Sequence, residues 1–386
     1  MPKKLKIPTI EELRAEKATE AKTPQDTASD AVSKDIGQFG LIKGMTASVA
    51  KKLTEGNFRT LFDLATARED EVSGVLDCSF VEAKKWVDSA KDLVLSKMKL
   101  KTARESAADK KRRQFFIKLG SNGVNNLLGG GIPSMSILGL AGRLASGKTQ
   151  ICNEALTEVV AKLWVCPDCH ARLDKDSTCL VCKKVSVKAK AVEIETEPDT
   201  FHLERLQQIA DGKGYNMGKD GELWDNLIVC EAAQIPTMKA QYMQYKMVQR
   251  ALEDGEPIVL ICVDSFNAKI RGSWGRTENL PLRTRELGEH FNLIEVLTSK
   301  YNLCWILTCQ VITGPRQEQQ GASMVKFGSD SYFAGGDYLG HSVNNWLSLT
   351  QIKSDVYTAL LFDSSYLPRG NATFTITRKG LVDGVR

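Results

Sequence analysis

The chain has 386 residues, 42% of them hydrophobic and 26% charged, with a formal net charge of +5. That length exceeds one ordinary compact core, so two or three domains are expected, with the composition of a globular protein rather than a fibrous or disordered one. No apolar run is long enough to span a bilayer, and Met1–Lys6 lacks the apolar core of a signal peptide, so no membrane partner is expected.

Residues 1–36 are rich in Lys, Glu, Ala, Thr and Asp and nearly free of aromatics. They bury too little surface to offset ordering entropy, which predicts a flexible tail, with a transient helix over Ile10–Ala18. Residues 37–97 turn helical. Val49, Leu53, Phe58, Leu61 and Leu64, then Val81, Ala83, Trp86, Val87 and Ala90, recur at three- and four-residue spacing, with Gly44, Gly56 and Gly74 between segments. This predicts a small all-helical domain. Leu53–Leu61 resembles the unit of helix-hairpin-helix domains, which usually meet DNA backbone; a protein-contact role has nearly the same claim. Residues 98–114 read as a charged linker ending in Lys110-Lys111-Arg112-Arg113, either simply solvated or a contact for DNA or a partner.

From 115 to 386 apolar β-type runs alternate with helical patterns, which predicts an α/β domain with a mainly parallel sheet. Expected strands are Ser136–Leu140, Val192–Ile194, Leu227–Cys230, Ile258–Val263, Leu303–Thr308 and Trp346–Leu349, with Tyr357–Phe362 and Ala372–Thr377 as an antiparallel extension. The first strand leads into Gly142-Arg143-Leu144-Ala145-Ser146-Gly147-Lys148-Thr149, and Gln150 opens the helical pattern that follows. This is G-x-x-x-x-G-K-[ST] with no position missing. Backbone N–H groups at such a strand–turn–helix cradle a polyphosphate, Lys148 reaches its terminal groups, and the Thr149 hydroxyl holds Mg²⁺. Asp264 ends the apolar run Ile258–Val263, where a carboxylate would sit beside that Mg²⁺. ATP and Mg²⁺ are therefore expected.

Within residues 164–190, Cys166-Pro167-Asp168-Cys169 is followed by Cys179-Leu180-Val181-Cys182. Two C-x-x-C pairs at this spacing predict a closed, structural Zn²⁺ site. His170 is an alternative ligand, and a redox-active pair of dithiols the alternative chemistry. The segment follows the phosphate-loop helix, so it is expected at the sheet edge away from ATP. Cys78, Cys152, Cys230, Cys262, Cys304 and Cys309 lie in apolar segments and are expected as buried fillers.

The order of these motifs resembles that of the RecA/RadA recombinases, in particular archaeal RadA and its eukaryotic counterparts. The resemblance runs from about Leu41 onward, with 164–190 as an insertion. It implies a RecA-like phosphate-loop ATPase core over 115–386. It also implies that Glu197 in Glu195–Leu206 activates the attacking water, with Glu195 as the fallback because one residue is extra near Pro198-Asp199. Arg205 would pack on adenine. Gln310 would sense the γ-phosphate, with Cys309 standing where the family usually has Asn. Two loops would enter a DNA groove: Arg271–Arg283, with Arg271 and Arg276, and Gly314–Gly336, with Arg316 and Lys326, closed by Gly335-Gly336 and His341. Asp363 and Pro368 would belong to a cap laid over a neighbour's ATP. Leu100 and Ala103 would occupy the polymerisation motif in the linker, Leu100 replacing a phenylalanine.

The implied function is an ATP-dependent recombinase. It would form filaments on single-stranded DNA, pair them with double-stranded DNA, and exchange strands in repair. The implied partners are both forms of DNA, further copies of the chain in a helical filament or ring, and mediator proteins. The implied compartment is the cytoplasm, at the nucleoid, in a prokaryote, or the nucleus in a eukaryote. The alternative is a recombination mediator or paralogue that binds ATP and DNA without exchanging strands. It is favoured by Arg143, Ala145, Leu100 and the cysteine insertion. A hexameric helicase-like motor leaves the linker motif and the cap unexplained.

Overall fold

The computed structural model describes residues 37–97, 100–269, 280–313, 326–327, 331–333 and 336–384. The tail, Arg271, Arg276 and Arg316 lie outside the described residues, as does the side chain of Lys326. The chain divides into two compact units between Glu105 and Ser106.

The first unit is helical: α1 (Ala47–Glu55), α2 (Leu61–Thr66), α3 (Glu69–Leu76) and α4 (Phe80–Lys97). Leu53, Leu61, Leu64, Ala83, Val87 and Ala90 lie in its core, as their spacing predicts, together with Phe39 and Val72, whereas Val81 of the same pattern is exposed. Polar residues set the helix starts. Thr46 accepts from the Val49 amide, and Thr60 and Asp63 cap α2 reciprocally.

The charged stretch after it is not an irregular linker. Ala103–Arg113 is a helix, α5, in which every residue is at least partly solvated. Its residues are strong helix formers, Thr102 and Glu105 cap its start, and Lys110–Arg113 sit in its last turn, where cations meet the helix dipole favourably. Propensity and end charges stabilise it without a buried face. Leu100 before it is wholly exposed.

The second unit is built on one sheet. Its strands are β3 (Ser136–Gly142), β7 (Lys190–Glu195), β8 (Leu227–Cys230), β9 (Ile258–Asp264), β10 (Cys304–Thr313), β13 (Asn345–Lys353), β14 (Val356–Ser364), β15 (Gly370–Thr377) and β16 (Gly380–Asp383), in the order β16-β15-β14-β13-β3-β10-β9-β7-β8. From β13 to β8 the pairs are parallel; β14–β16 extend the sheet antiparallel. A β1 (Phe116–Ile117) and β2 (Ile132–Pro133) ladder precedes it, and β11 (Lys326–Phe327) and β12 (Ser331–Phe333) branch from β10.

Both faces are covered, so the central strands are apolar throughout. On one face α6 (Asn122–Leu127), α7 (Lys148–Lys162) and α8 (Leu203–Gly212) pack over Leu138, Leu140, Cys262, Cys304 and Ile306. On the other, α9 (Met238–Glu253), α10 (Leu280–Tyr301) and α11 (Gly336–His341) cover Ile137, Ile261, Val263, Trp305 and Leu307. Gly139 in β3 is dictated by packing, since a Cβ there would stand 2.1 Å from the Trp346 ring. All the buried cysteines outside residues 164–190 lie in these two cores, and Cys78 is half-buried in the helical unit.

Residues 164–190 form a separate three-stranded ribbon of β4 (Trp164–Val165), β5 (Arg172–Leu173) and β6 (Val187–Lys188), in the order β5-β4-β6. It leaves the carboxyl end of α7 and returns into the amino end of β7. It therefore sits at the end of the sheet opposite the loop Gly142–Thr149.

Candidate nucleotide site and cysteine cluster

The carboxyl ends of β3, β7, β9 and β10 lie side by side and bring four short segments together. Gly142–Thr149 leaves β3 and opens α7. Gly142 has no room for a side chain: a Cβ would meet Ser146 Oγ at 2.3 Å and the Leu349 carbonyl at 2.6 Å. Ala145 and Gly147 take positive φ, +59° and +92°, which turns the loop amides inward. Arg143, Leu144 and Ala145 are exposed, so their side chains leave the cradle clear. Lys148 is buried. Its ammonium donates to the carbonyls of Gly142 at 3.0 Å and Arg143 at 2.9 Å, and burial pulls its pKa down while Asp264 pulls it back up.

Asp264 receives two hydroxyls, that of Thr149 at 2.5 Å and that of Thr308. The Asp264–Ser265 peptide is cis. Glu197, past the end of β7, accepts from Ser265 Oγ at 2.7 Å and from Gln310 Nε2 at 2.9 Å. Asn267 holds Gln310 in turn: its side chain donates to the Gln310 carbonyl at 2.9 Å and accepts from the Gln310 amide at 3.1 Å. Glu195 is used differently. Its Oε1 accepts from the Thr200 amide at 2.6 Å and the Phe201 amide at 3.1 Å. Burial raises its pKa, but these amides together bring it below the ordinary carboxylate value. Glu195 therefore closes the Pro198–Phe201 turn, and Glu197 is the carboxylate that faces Gln310.

Arg205 on α8 ties the flank of the crevice. It donates to Gln150 Oε1 at 2.7 Å and to the Thr377 carbonyl at 2.8 Å. Asp363 and Pro368 stand elsewhere. Asp363 pairs with Trp346 near the start of β13, so the turn Ser365–Pro368 lies at the end of the sheet opposite the phosphate loop.

Ser265, Thr308 and Asn267 escape a reading of the sequence, although each lies within two or three residues of Asp264 or Gln310. Glu193 escapes it too, although a lone acid inside the apolar run Ala191–Ile194 is a visible signal. It is buried on the α7 face of β7, and its Oε2 has no hydrogen-bond partner among the described residues. Burial, with Asp264 and Glu195 nearby, pushes its carboxyl well above the ordinary carboxylate value, which favours the protonated form.

In the ribbon, the Sγ atoms of Cys166, Cys169, Cys179 and Cys182 all lie within 4.8 Å of one another, with Cys169 and Cys179 3.8 Å apart. Zinc–sulfur bonds of about 2.3 Å in a tetrahedron require sulfurs about 3.8 Å apart, so the donor set fits that ion. The Cys182 amide lies 3.5 Å from Cys179 Sγ, as a tight metal knuckle needs. His170 is outside this group. Its ring packs by Tyr301, and its carbonyl accepts from Asn302 Nδ2 at 2.9 Å.

The family model described as Rad51 matches residues 110–384. The DNA repair and recombination protein RadA of Methanococcus maripaludis is 29% identical over 345 residues, covering 89% of this chain and 98% of that protein. The protein of the same description from Aeropyrum pernix is 28% identical over 355 residues, covering 91% and 98%. That from Methanococcus voltae is 29% identical over 346 residues, covering 89% and 98%.

Proposed function

The chain belongs to the Rad51 family, and from that premise we propose that it is an ATP-dependent DNA recombinase. It assembles on single-stranded DNA and exchanges strands with a homologous duplex, in the compartment that holds the chromosome. The observation that carries this reading is the bond between Glu197 and Gln310. It links the phosphate site to the strand from which residues 314–325 depart.

The residues divide the work as follows. The amides of Gly142–Thr149 and Gln150 hold the phosphates, and Lys148 exchanges its two carbonyl partners for the β- and γ-phosphate oxygens. Thr149 and Asp264, already in contact, would hold Mg²⁺, which would supply charge neutralisation at the phosphate oxygens. Glu197 orients the attacking water. Gln310 shares its proton donors between Glu197 and the γ-phosphate, so loss of the phosphate is felt at β10. Arg205 packs on adenine. Arg271, Arg276, Arg316 and Lys326 meet DNA phosphates without reading sequence.

Asp363 and Pro368 are at the wrong end of the sheet to touch the nucleotide of their own chain, which supports a site completed by a second copy in a filament or ring. Leu100, wholly exposed, and Ala103 are the self-assembly contacts. The four cysteines hold Zn²⁺, whose closed sulfur shell makes it structural.

The test is strand exchange between single-stranded DNA and a homologous duplex with ATP and Mg²⁺, beside Lys148→Ala. Joint molecules that depend on Lys148 are expected, and their absence from the wild-type chain would refute a self-sufficient recombinase. One observation favours a second reading, that of a mediator: Ala103 opens a helix, whereas the family's polymerisation motif docks extended. ATP-dependent DNA binding without exchange would select it.

A further inference from the structure

The cysteine ribbon carries cations that form no ion pair among the described residues. Trp164 in β4 lies opposite Leu173 on one side and Lys188 on the other, so the three share one face. Lys188 Nζ stands 5.2 Å from the centre of the half-buried Trp164 ring and Lys175 Nζ 5.5 Å from it. Among the described residues neither lysine has an ion pair. Burial and the charge of Lys175 push the Lys188 ammonium down to about 8. Two repelling ammoniums over one ring form a place that an anion relieves.

Leu173 of that face also lines a groove of about 660 Å³ where the ribbon meets the ATPase core. Arg172, Lys118 and Arg112 line it, with Phe116 and Leu173 as its apolar wall. Of the acids nearby, Asp174 lines the groove and Asp109 holds Arg112 at 3.1 Å. Lys118 and Arg172 have no ion pair among the described residues.

We propose that this face is a second nucleic-acid site, which holds the sugar–phosphate backbone of a DNA strand on the side of the core away from the nucleotide. Two cations over an aromatic ring, beside a groove lined by further cations and Phe116, suit phosphates flanked by sugars and bases, and select no sequence. The site is separate from loops 271–283 and 314–336. The choice of DNA over another polyanion rests on the recombinase reading above.

The experiment titrates the full zinc-loaded chain, with ATP and Mg²⁺, against a fluorescein-labelled single-stranded oligonucleotide over a salt series. The wild type is compared with Lys175→Ala/Lys188→Ala and with Lys175→Arg/Lys188→Arg. The alanine pair is expected to bind about tenfold more weakly, and to flatten the plot of log affinity against log salt by about 1.4, two phosphate contacts at about 0.7 each. The arginine pair restores both, and ATP hydrolysis without DNA stays at the wild-type rate. Unchanged affinity and slope in the alanine pair would overturn the proposal, as would a loss that arginine does not restore. Failure of the recombinase reading looks different, because the wild-type chain itself would then show no ATP-dependent DNA binding.

Discussion

The phosphate loop and the cysteine ribbon are both tight turns that gather polar groups around a small volume, but they are held by opposite means. Gly142–Thr149 hangs between β3 and α7, whose residues Leu138, Leu140, Ile151, Ala155 and Leu156 are fully buried in the larger core. Its shape exists before any ligand arrives, since burying each such side chain contributes about 1.5–3 kcal/mol. The ribbon has three strands of two residues each and buries only small or polar side chains besides Val165: Ala171, Ala189, Ser186, His170 and the cysteines Cys166 and Cys179. Too small to stabilise itself by burial alone, it would gain on the order of 10 kcal/mol from the zinc proposed to join its four thiols. Preorganisation by a core suits a site that must bind and release at each turnover. Organisation by an ion suits a surface that only has to persist.

Four substitutions test that contrast. The largest effect is expected at Gly142→Ala. The new methyl would press on Ser146 and on the backbone of Leu349, so nucleotide binding should fall at least about 100-fold by equilibrium dialysis, the scale of several lost loop contacts. Retention of wild-type affinity would show that the loop is looser than its core packing implies. Glu197→Gln comes next. Hydrolysis should drop roughly 100-fold or more in a steady-state assay, while ATP still binds, because the role proposed for this carboxylate is to orient water and not to hold the nucleotide. If Glu195→Gln gave that result instead, the roles of the two carboxylates would be reversed.

Cys166→Ser probes the other side. Loss of bound zinc, measured by metal analysis, and early proteolysis within residues 164–190 are expected, with ATP hydrolysis near the wild-type rate. Loss of hydrolysis in the folded variant would join the two regions that the contrast separates. The smallest effect is expected from Asn302→Ala. Its amide donates to the carbonyls of His170 and Arg113, at 2.9 and 2.7 Å, and its Oδ1 accepts from Ser134, tying ribbon to core. The loss should be about 1–3 kcal/mol in denaturant titration, with the ribbon loosened first.

How much could be read in advance follows the same division. The phosphate loop, Asp264 and the paired cysteines are local spacings imposed by ligand geometry, so they stand out in the chain. The strands were readable because a parallel sheet covered on both faces needs apolar runs. The helix Ala103–Arg113 was missed because its charge suggested solvation, and a solvated helix is still a helix when propensity and end charges agree. Among the described residues no helix is long and apolar enough to cross a membrane.

What the sequence determined by itself was the local pattern of each segment: a G-x-x-x-x-G-K-[ST] loop, an acid ending an apolar strand, two C-x-x-C pairs, an α/β order of elements. These depend on residues a few positions apart, whose distances the backbone limits. Only the tertiary structure decided which carboxylate faces Gln310, that Asp363 and Pro368 lie at the far end of the sheet, and that Trp164, Lys175 and Lys188 share a face. Each of those depends on strand order and on the two-residue alternation of side chains. Both are set by which apolar faces bury together, across separations that no local pattern encodes.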